Sequence, residues 1–200
     1  MNLVSSLRAT LLLCLVSLTV HAQGFLPPPA PSTATVSSSQ RPLLIGNTIP
    51  ESLKVATEDG KERTLMSYKS AIEVLMVTFI SARCQEGQMP WAALRRLTED
   101  YKDWRVTFLA VDASSSDNGA FLANLLKRER LSWPVVVDPR HAARDLLNIS
   151  GTPEVLIVDE FGSLRYRGPV SSAKGALEAV IGHLDPVKVP EPPLSGGCPL

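Results

Sequence analysis

A nearly continuous apolar run at residues 73–79 constrains the fold of this chain more than any other feature. A strand in which almost every side chain is apolar is typical of a sheet that is covered on both faces. An amphipathic stretch at 89–104 follows it, and the apolar side chains of this stretch recur at helical spacing. Its apolar face carries Trp91, Leu94, Leu97 and Tyr101. A buried strand followed by an amphipathic helix predicts a layered α/β fold.

The alternation of strands and helices continues along the chain. A short hairpin is predicted around Asp59-Gly60. Further strands are predicted at 106–111, 135–137, 155–158 and 164–166. Further helices are predicted around an inward-facing group of Phe121, Leu122, Leu125 and Leu126, at 142–147, and along a stripe of Leu177, Val180, Ile181 and Leu184. This order predicts an α/β fold with a mixed central sheet and helices on both faces.

Residues 1–22 have the pattern of a secretory signal peptide. Arg8 precedes an apolar core at 9–20, and residues 20–22 place small side chains at both positions that define cleavage. A membrane anchor is the alternative interpretation, but the core is shorter than the about 20 residues that a spanning helix needs. We therefore expect a mature chain that begins at Gln23 and is exported to the periplasm or the extracellular space, without stable insertion in the membrane.

Composition divides the rest of the chain into three parts. Residues 23–42 are rich in Pro, Ser, Ala and Thr, which predicts a linker because such a segment buries little apolar surface. Residues 43–184 carry the predicted strands and helices and form the folded domain. Residues 185–200 are a proline-rich tail that contains Cys198. The formal net charge of the chain is zero and no basic stripe appears in the sequence, so we expect no nucleic acid partner.

The cysteines are the candidate reactive groups. The chain has three of them, and cleavage of the signal peptide would remove Cys14. Cys84 and Cys198 remain, and in an oxidising compartment they could pair. Cys84 is predicted at the turn between the buried strand and the first turn of the next helix, where unpaired N–H groups, the helix dipole and the Arg83 charge favour a thiolate. A single structural disulfide is the alternative role of the two cysteines.

Five segments resemble the redoxin group of thioredoxin-like proteins, which includes peroxiredoxins and exported thiol-disulfide oxidoreductases. They are Ile45-Gly46-Asn47-Thr48-Ile49-Pro50, Asp59-Gly60-Lys61, Phe79-Ile80-Ser81-Ala82-Arg83-Cys84, Thr152-Pro153-Glu154-Val155 and Leu164-Arg165-Tyr166-Arg167-Gly168. The resemblance covers residues 43–184 and implies a thioredoxin-like fold. It also implies a cis Thr152–Pro153 bond that lies against Cys84 and leaves the preceding backbone free to pair with an extended substrate.

The signature motifs of this group are incomplete in the chain. Gly87 stands where the Cys-x-x-Cys motif of thioredoxin-type oxidoreductases has its second cysteine, so a local resolving thiol is absent. Val77 stands where the Pro-x-x-x-Thr/Ser-x-x-Cys motif of peroxiredoxins has its proline, although Ser81 matches the hydroxyl position. A copper-binding Cys-x-x-x-Cys is excluded because Gln88 occupies the second position.

The resemblance implies a role for each candidate site residue. Cys84 would attack a disulfide or a peroxide, and Cys198 would resolve the intermediate. Ser81, Arg83, Thr152 and Pro153 would bind the substrate, with Ser81 alternatively a polar residue at the strand end. Five arginines are candidates for contacting a peroxide, and the sequence does not choose among Arg128, Arg130, Arg140, Arg165 and Arg167. No group of His and Cys has metal-ligand spacing, so neither a metal nor another cofactor is expected.

The predicted partners are protein thiols or disulfides, or a peroxide, together with a reductant that the sequence does not identify. The alternative function is a redox-inactive thioredoxin-like domain that binds or assembles with a partner. In that alternative, a groove beside Pro153 holds a partner's strand, and a Cys84–Cys198 bond is structural or absent.

Overall fold

The computed structural model describes residues 42–81, 84, 89–114, 119–184 and 198–199. The predicted signal peptide and nearly all of the predicted linker lie outside these residues. The strands are β1 (Lys54–Thr57), β2 (Glu62–Thr64), β3 (Val74–Ile80), β4 (Val106–Asp112), β5 (Val135–Val137), β6 (Gly151–Thr152), β7 (Glu154–Val158), β8 (Leu164–Gly168) and β9 (Cys198–Pro199). The helices are α1 (Trp91–Asp100), α2 (Gly119–Arg128), α3 (Ala142–Leu146), α4 (Val170–Ile181) and a 3-10 helix (Leu65–Tyr68).

Seven of these strands form one mixed sheet in the order β2-β1-β5-β4-β3-β7-β8. The neighbouring strands β3, β4 and β5 are parallel, and the other pairs are antiparallel. Every side chain of β3 is buried. Val77 of β3 pairs with Leu109 of β4 on one side and with Leu156 of β7 on the other. The apolar run at 73–79 therefore forms an interior strand that is covered on both faces, as predicted.

Helices cover both faces of this sheet. Leu94 of α1, Leu122 of α2 and Leu177 of α4 pack in one cluster of buried residues, on what we call the α1 face. Leu146 of α3 and Leu65 of the 3-10 helix pack in a second cluster, on the α3 face. Two separate apolar layers are what an interior strand with no polar face requires. The predicted mixed α/β architecture is therefore confirmed.

Two side chains that were predicted to face the core do not. Leu122, Leu125 and Leu126 of α2 are buried, whereas Phe121 is 51% exposed. Successive residues of a helix are rotated by about 100°, so these four side chains span a wider arc than one contact with the sheet covers. Phe121 lies at the edge of that arc. Leu184 is also exposed, because α4 ends three residues before it.

Tyr166 of β8 makes a pH-dependent contribution to stability. Its side chain is buried on the α1 face, and its hydroxyl donates a hydrogen bond of 2.8 Å to the carbonyl oxygen of Pro169. Burial raises the pKa of Tyr166 from 10.0 to about 12, because the phenolate would lose its hydration. The folded protein holds this proton more tightly than the unfolded chain. The stabilisation is therefore complete below pH 10.0 and is lost as the pH rises through about 12.

We expect the last step of the native phenolate absorbance titration to lie near pH 12 and to disappear in Tyr166→Phe. Burial also raises the pKa of Tyr68 and of Tyr101, so the variant is needed to assign the step. The absorbance is read immediately after a rapid pH jump, before the protein unfolds at high pH. The denatured protein is the control, because all its tyrosines should titrate near 10. A native titration that Tyr166→Phe leaves unchanged would contradict the assignment.

Candidate active site

Cys84 lies just beyond the carboxyl end of the interior strand β3. Ser81 follows the strand and is buried, and its carbonyl oxygen accepts a hydrogen bond of 3.0 Å from the Cys84 N–H. This turn directs the cysteine to the α1 face, where Cys84 belongs to the same buried cluster as Met89 and Trp91. Only 8% of Cys84 is exposed. The candidate nucleophile is therefore largely shielded from solvent.

Cys84 lies between the end of β3 and the start of α1, in the order that the sequence predicted. The helix begins at Trp91, and its N-cap is Pro90 with φ −81° and ψ 53°. The residue before a proline is disfavoured in the helical region, which agrees with a helix that begins after Pro90. Cys84 and Trp91, the first residue of α1, belong to the same buried cluster, and the predicted effect of the helix end on the Cys84 thiol stays a prediction. Arg83, the other group predicted to favour the anion, lies outside the described residues.

The Thr152–Pro153 peptide bond is cis, and it lies against Cys84. The carbonyl oxygen of Thr152 is 3.9 Å from the Sγ atom of Cys84. A disulfide sulfur carries no proton, so this is a packing contact here and becomes available as a hydrogen bond only to a protonated thiol. Both parts of the prediction, the cis bond and its position, are confirmed.

Cys84 is bonded to Cys198 in the same chain, with an S–S distance of 2.00 Å and a Cα–Cα distance of 5.6 Å. The predicted intrachain pairing is thus present in the structure. The two cysteines are 114 positions apart, so the bond ties the tail of the chain to the carboxyl end of β3. Cys198 is partly buried and packs against the α1-face cluster. Whether the bond exchanges with other thiols stays a prediction.

The tail also pairs with the backbone that precedes Pro153. β6 and β9 form a two-stranded antiparallel sheet, with Thr152 opposite Cys198 and Gly151 opposite Pro199. The sequence assigned this position to a substrate or to a partner's strand. In the structure, the chain's own end occupies it. Cys198 is therefore held in two ways, by the disulfide to Cys84 and by strand pairing with Thr152.

The structure distinguishes the arginines that the sequence left equivalent. The side chain of Arg167 is only 12% exposed. Arg167 pairs with Leu156, which packs on the α3 face, and opposite residues of an antiparallel pair point to the same side of a sheet. Cys84 packs on the α1 face. Arg167 is therefore on the other side of the sheet from the cysteine, which disfavours it as a direct contact for a peroxide.

Arg167 and Glu154 instead hold the loop that leads into β6. The Nε atom of Arg167 is 3.9 Å from a carboxylate oxygen of Glu154, and both side chains are almost buried. Arg167 donates a hydrogen bond of 3.3 Å to the carbonyl oxygen of Leu147, and the Glu154 carboxylate accepts one of 3.4 Å from the Ser150 N–H. Sequence reasoning missed Glu154. Its position directly after Pro153, at the start of an apolar strand, was the available signal.

Replacing Arg167 with leucine is expected to lower the free energy of unfolding by about 2 kcal/mol, because it leaves the Glu154 carboxylate buried without its cation. Denaturant unfolding monitored by circular dichroism measures the loss. Arg140→Leu is the matched control, because Arg140 pairs with Glu62 at the exposed surface and such pairs contribute about 1 kcal/mol at most. Equal losses of unfolding free energy in the two variants would contradict the role of Arg167 and Glu154 in holding the loop that leads into β6.

The described residues contain no group of three or more His, Cys, Asp or Glu side chains that could hold a metal ion. In the same part of the chain, no helix combines the length and the apolar character needed to cross a membrane.

A mixed sheet of this order, with helices on both faces and a cis-proline turn against a cysteine after an interior strand, defines the thioredoxin-like class of folds. Known structures agree. A hypothetical protein of Sinorhizobium meliloti superposes with a TM-score of 0.62 and 20% identity, covering 78% of this chain and 93% of the other. A thioredoxin-like protein of Porphyromonas gingivalis gives 0.55 and 20%, covering 68% and 95%.

A thiol-disulfide oxidoreductase of Bacteroides fragilis gives a TM-score of 0.51 at 21% identity, covering 60% of this chain and 89% of the other. At these identities the likeness concerns the fold. A search of curated protein sequences gives no match. The chain belongs to the AhpC/TSA family, which matches residues 45–167.

Proposed function

We propose that this protein is an exported thiol-disulfide oxidoreductase in which Cys84 and Cys198 are the redox couple. The observation that carries the proposal is the disulfide itself. It joins Cys84 to Cys198 directly against the Thr152 carbonyl, at the cis-proline turn, rather than at a site remote from the fold's reactive end. Membership in the AhpC/TSA family supports thiol chemistry at this position.

The proposed reaction begins with the reduced protein. The Cys84 thiolate attacks one sulfur of a partner's disulfide, so that a Cys84–partner bond forms and the partner's other sulfur leaves as a thiolate. The Cys198 thiolate then attacks Cys84 Sγ, which forms the Cys84–Cys198 bond and releases the second partner thiolate. The partner gains two electrons and takes up two protons from solvent. A dithiol reductant completes the cycle by reducing Cys84–Cys198 and becoming a disulfide.

Two observations favour disulfide exchange over peroxide reduction. Val77, at the position where peroxiredoxins have proline, lies inside the continuous β3 ladder and is fully buried. The site also accommodates an extended polypeptide, because β9 lies along β6 with its cysteine bonded to Cys84. A peptide partner fits that arrangement better than a peroxide does. Ser81 and Arg83, which precede Cys84 in the sequence, are retained in the proposal as substrate-binding residues.

Export is part of the proposal. The predicted signal peptide at 1–22 would deliver the chain to the periplasm or the extracellular space. Disulfides persist in such compartments, whereas thiols in the cytosol are kept reduced. The oxidised form described here is therefore the resting form expected at that location, and a dithiol partner would be needed to start each cycle.

The reduction potential separates this function from a structural disulfide. We expect equilibration with thiol redox buffers to place Cys84–Cys198 above about −300 mV, within reach of cellular dithiols. Alkylation of free thiols followed by mass spectrometry measures the reduced fraction at each buffer ratio. A potential below about −300 mV would mark a structural bond. That result would favour the redox-inactive binding domain instead.

A further inference from the structure

The β6 backbone is buried and needs a strand beside it. Thr152 and Gly151 are both buried, and buried backbone N–H and C=O groups are almost always paired. Within the described residues, β9 is the strand that pairs with β6. The C-terminal end therefore covers a backbone edge that would otherwise lose its partner.

Strand pairing alone holds β9 weakly. The strand has two residues, and Pro199 has no N–H to donate, so the backbone donor of β9 is the Cys198 amide. A pairing this short does not offset the entropy lost when a long segment is fixed at both ends. The covalent bond to Cys84 is what keeps β9 in place. Reduction removes that bond and leaves only the short ladder.

We propose that Cys198–Pro199 is a built-in strand ligand, which closes the β6 edge in the oxidised protein and leaves it on reduction. An extended polypeptide segment that carries a cysteine then takes the place of β9, with its cysteine opposite Thr152 and within reach of Cys84. The inference rests on the proposed function and adds to it. It makes access of an extended polypeptide to the β6 edge depend on the redox state of the protein's own tail.

The first test asks whether strand pairing selects the ligand. Full-length Cys198→Ser is mixed with a synthetic peptide of residues 194–200 whose cysteine is activated as a 2-pyridyl disulfide, and release of pyridine thione measures capture by Cys84. The control peptide is identical except for an N-methyl group on the cysteine amide, which removes the backbone donor and leaves the leaving group unchanged. We expect capture of the control peptide to be at least about tenfold slower.

The outcomes of this test are distinct. Equal rates for the two peptides would overturn the strand ligand and leave thiol exchange at Cys84 intact. Failure of Cys84 to react with either peptide would refute the proposed function, and the inference with it.

The second test asks whether reduction opens the edge in the unmodified protein. Hydrogen exchange of the segment around Gly151 and Thr152 is compared between the oxidised and the reduced wild-type protein. We expect exchange there to become at least about tenfold faster on reduction. The β3 amides exchange through global unfolding and report any fall in global stability, so faster exchange at β6 than at β3 in the reduced protein marks local opening of the edge. Unchanged exchange at β6, in a protein whose redox titration shows full reduction, would overturn the inference alone.

Discussion

Replacing Cys84 with serine is expected to abolish thiol-disulfide exchange, lowering the rate by about three orders of magnitude or more. Reduction of a partner disulfide requires a sulfur nucleophile, and a serine hydroxyl does not undergo this exchange. The side chain is buried among Met89 and Trp91, and serine differs from cysteine by one atom, so the fold should tolerate the change. Release of thiols from a peptide disulfide substrate measures the rate.

The variant Cys198→Ser tests the second step of the reaction, in which Cys198 resolves the mixed disulfide. It retains Cys84, so the first step should proceed, while the resolving step should fail because only Cys198 is bonded to Cys84 in the structure. A Cys84–partner mixed disulfide should therefore accumulate, and turnover should fall by at least about tenfold. Mass spectrometry after acid quenching detects the adduct. Equal activity in wild type and Cys84→Ser, or an adduct carried by Cys84→Ser alone, would assign the chemistry to another residue.

The sequence was most informative where a single physical effect dominates. The interior strand β3 was predictable because a strand covered on both faces excludes polar side chains, and the run at 73–79 is nearly free of them. The contact between Cys84 and Thr152 could not be predicted from local sequence patterns. The two residues are far apart in sequence, and only the resemblance to redoxins placed them together.

Other features of the site depend on effects that the sequence carries weakly. The two-residue strand β9 has no periodicity that could reveal its pairing with β6, and the disulfide fixes its register. Glu154 and Arg167 are charged residues of types that usually lie at the surface, and only the structure shows that their side chains pair while almost buried. The start of α1, in contrast, could be predicted from the sequence. Proline disfavours helical backbone at the residue before it, so Pro90 indicates that the helix begins after Met89.

Reducing the Cys84–Cys198 bond is expected to lower the free energy of unfolding by about 4–5 kcal/mol, and Cys198→Ser should have the same effect. The bond closes a loop between residues 114 positions apart, and a cross-link over so long a loop restricts the unfolded chain strongly. The two buried clusters on the α1 and α3 faces should keep the reduced domain folded. Guanidinium unfolding of the oxidised protein, the reduced protein and Cys198→Ser measures the difference.

The free energy by which the disulfide stabilises the fold must also lower the reduction potential of the disulfide in the folded protein. This follows because the folded and unfolded states, each oxidised or reduced, form a closed thermodynamic cycle. For a two-electron couple, 1.4 kcal/mol corresponds to about 30 mV. A stabilisation of 4–5 kcal/mol therefore predicts that the potential of Cys84–Cys198 is roughly 85–110 mV lower in the folded protein than in denaturant. Redox-buffer titrations under native and denaturing conditions provide this difference without any unfolding curve.

If the potential of the native bond lies above about −300 mV and the measured difference matches, the disulfide both stabilises the fold and remains exchangeable. A native potential equal to that of the unfolded chain would show that the long loop contributes nothing to stability, and the expected loss on reduction would then be wrong.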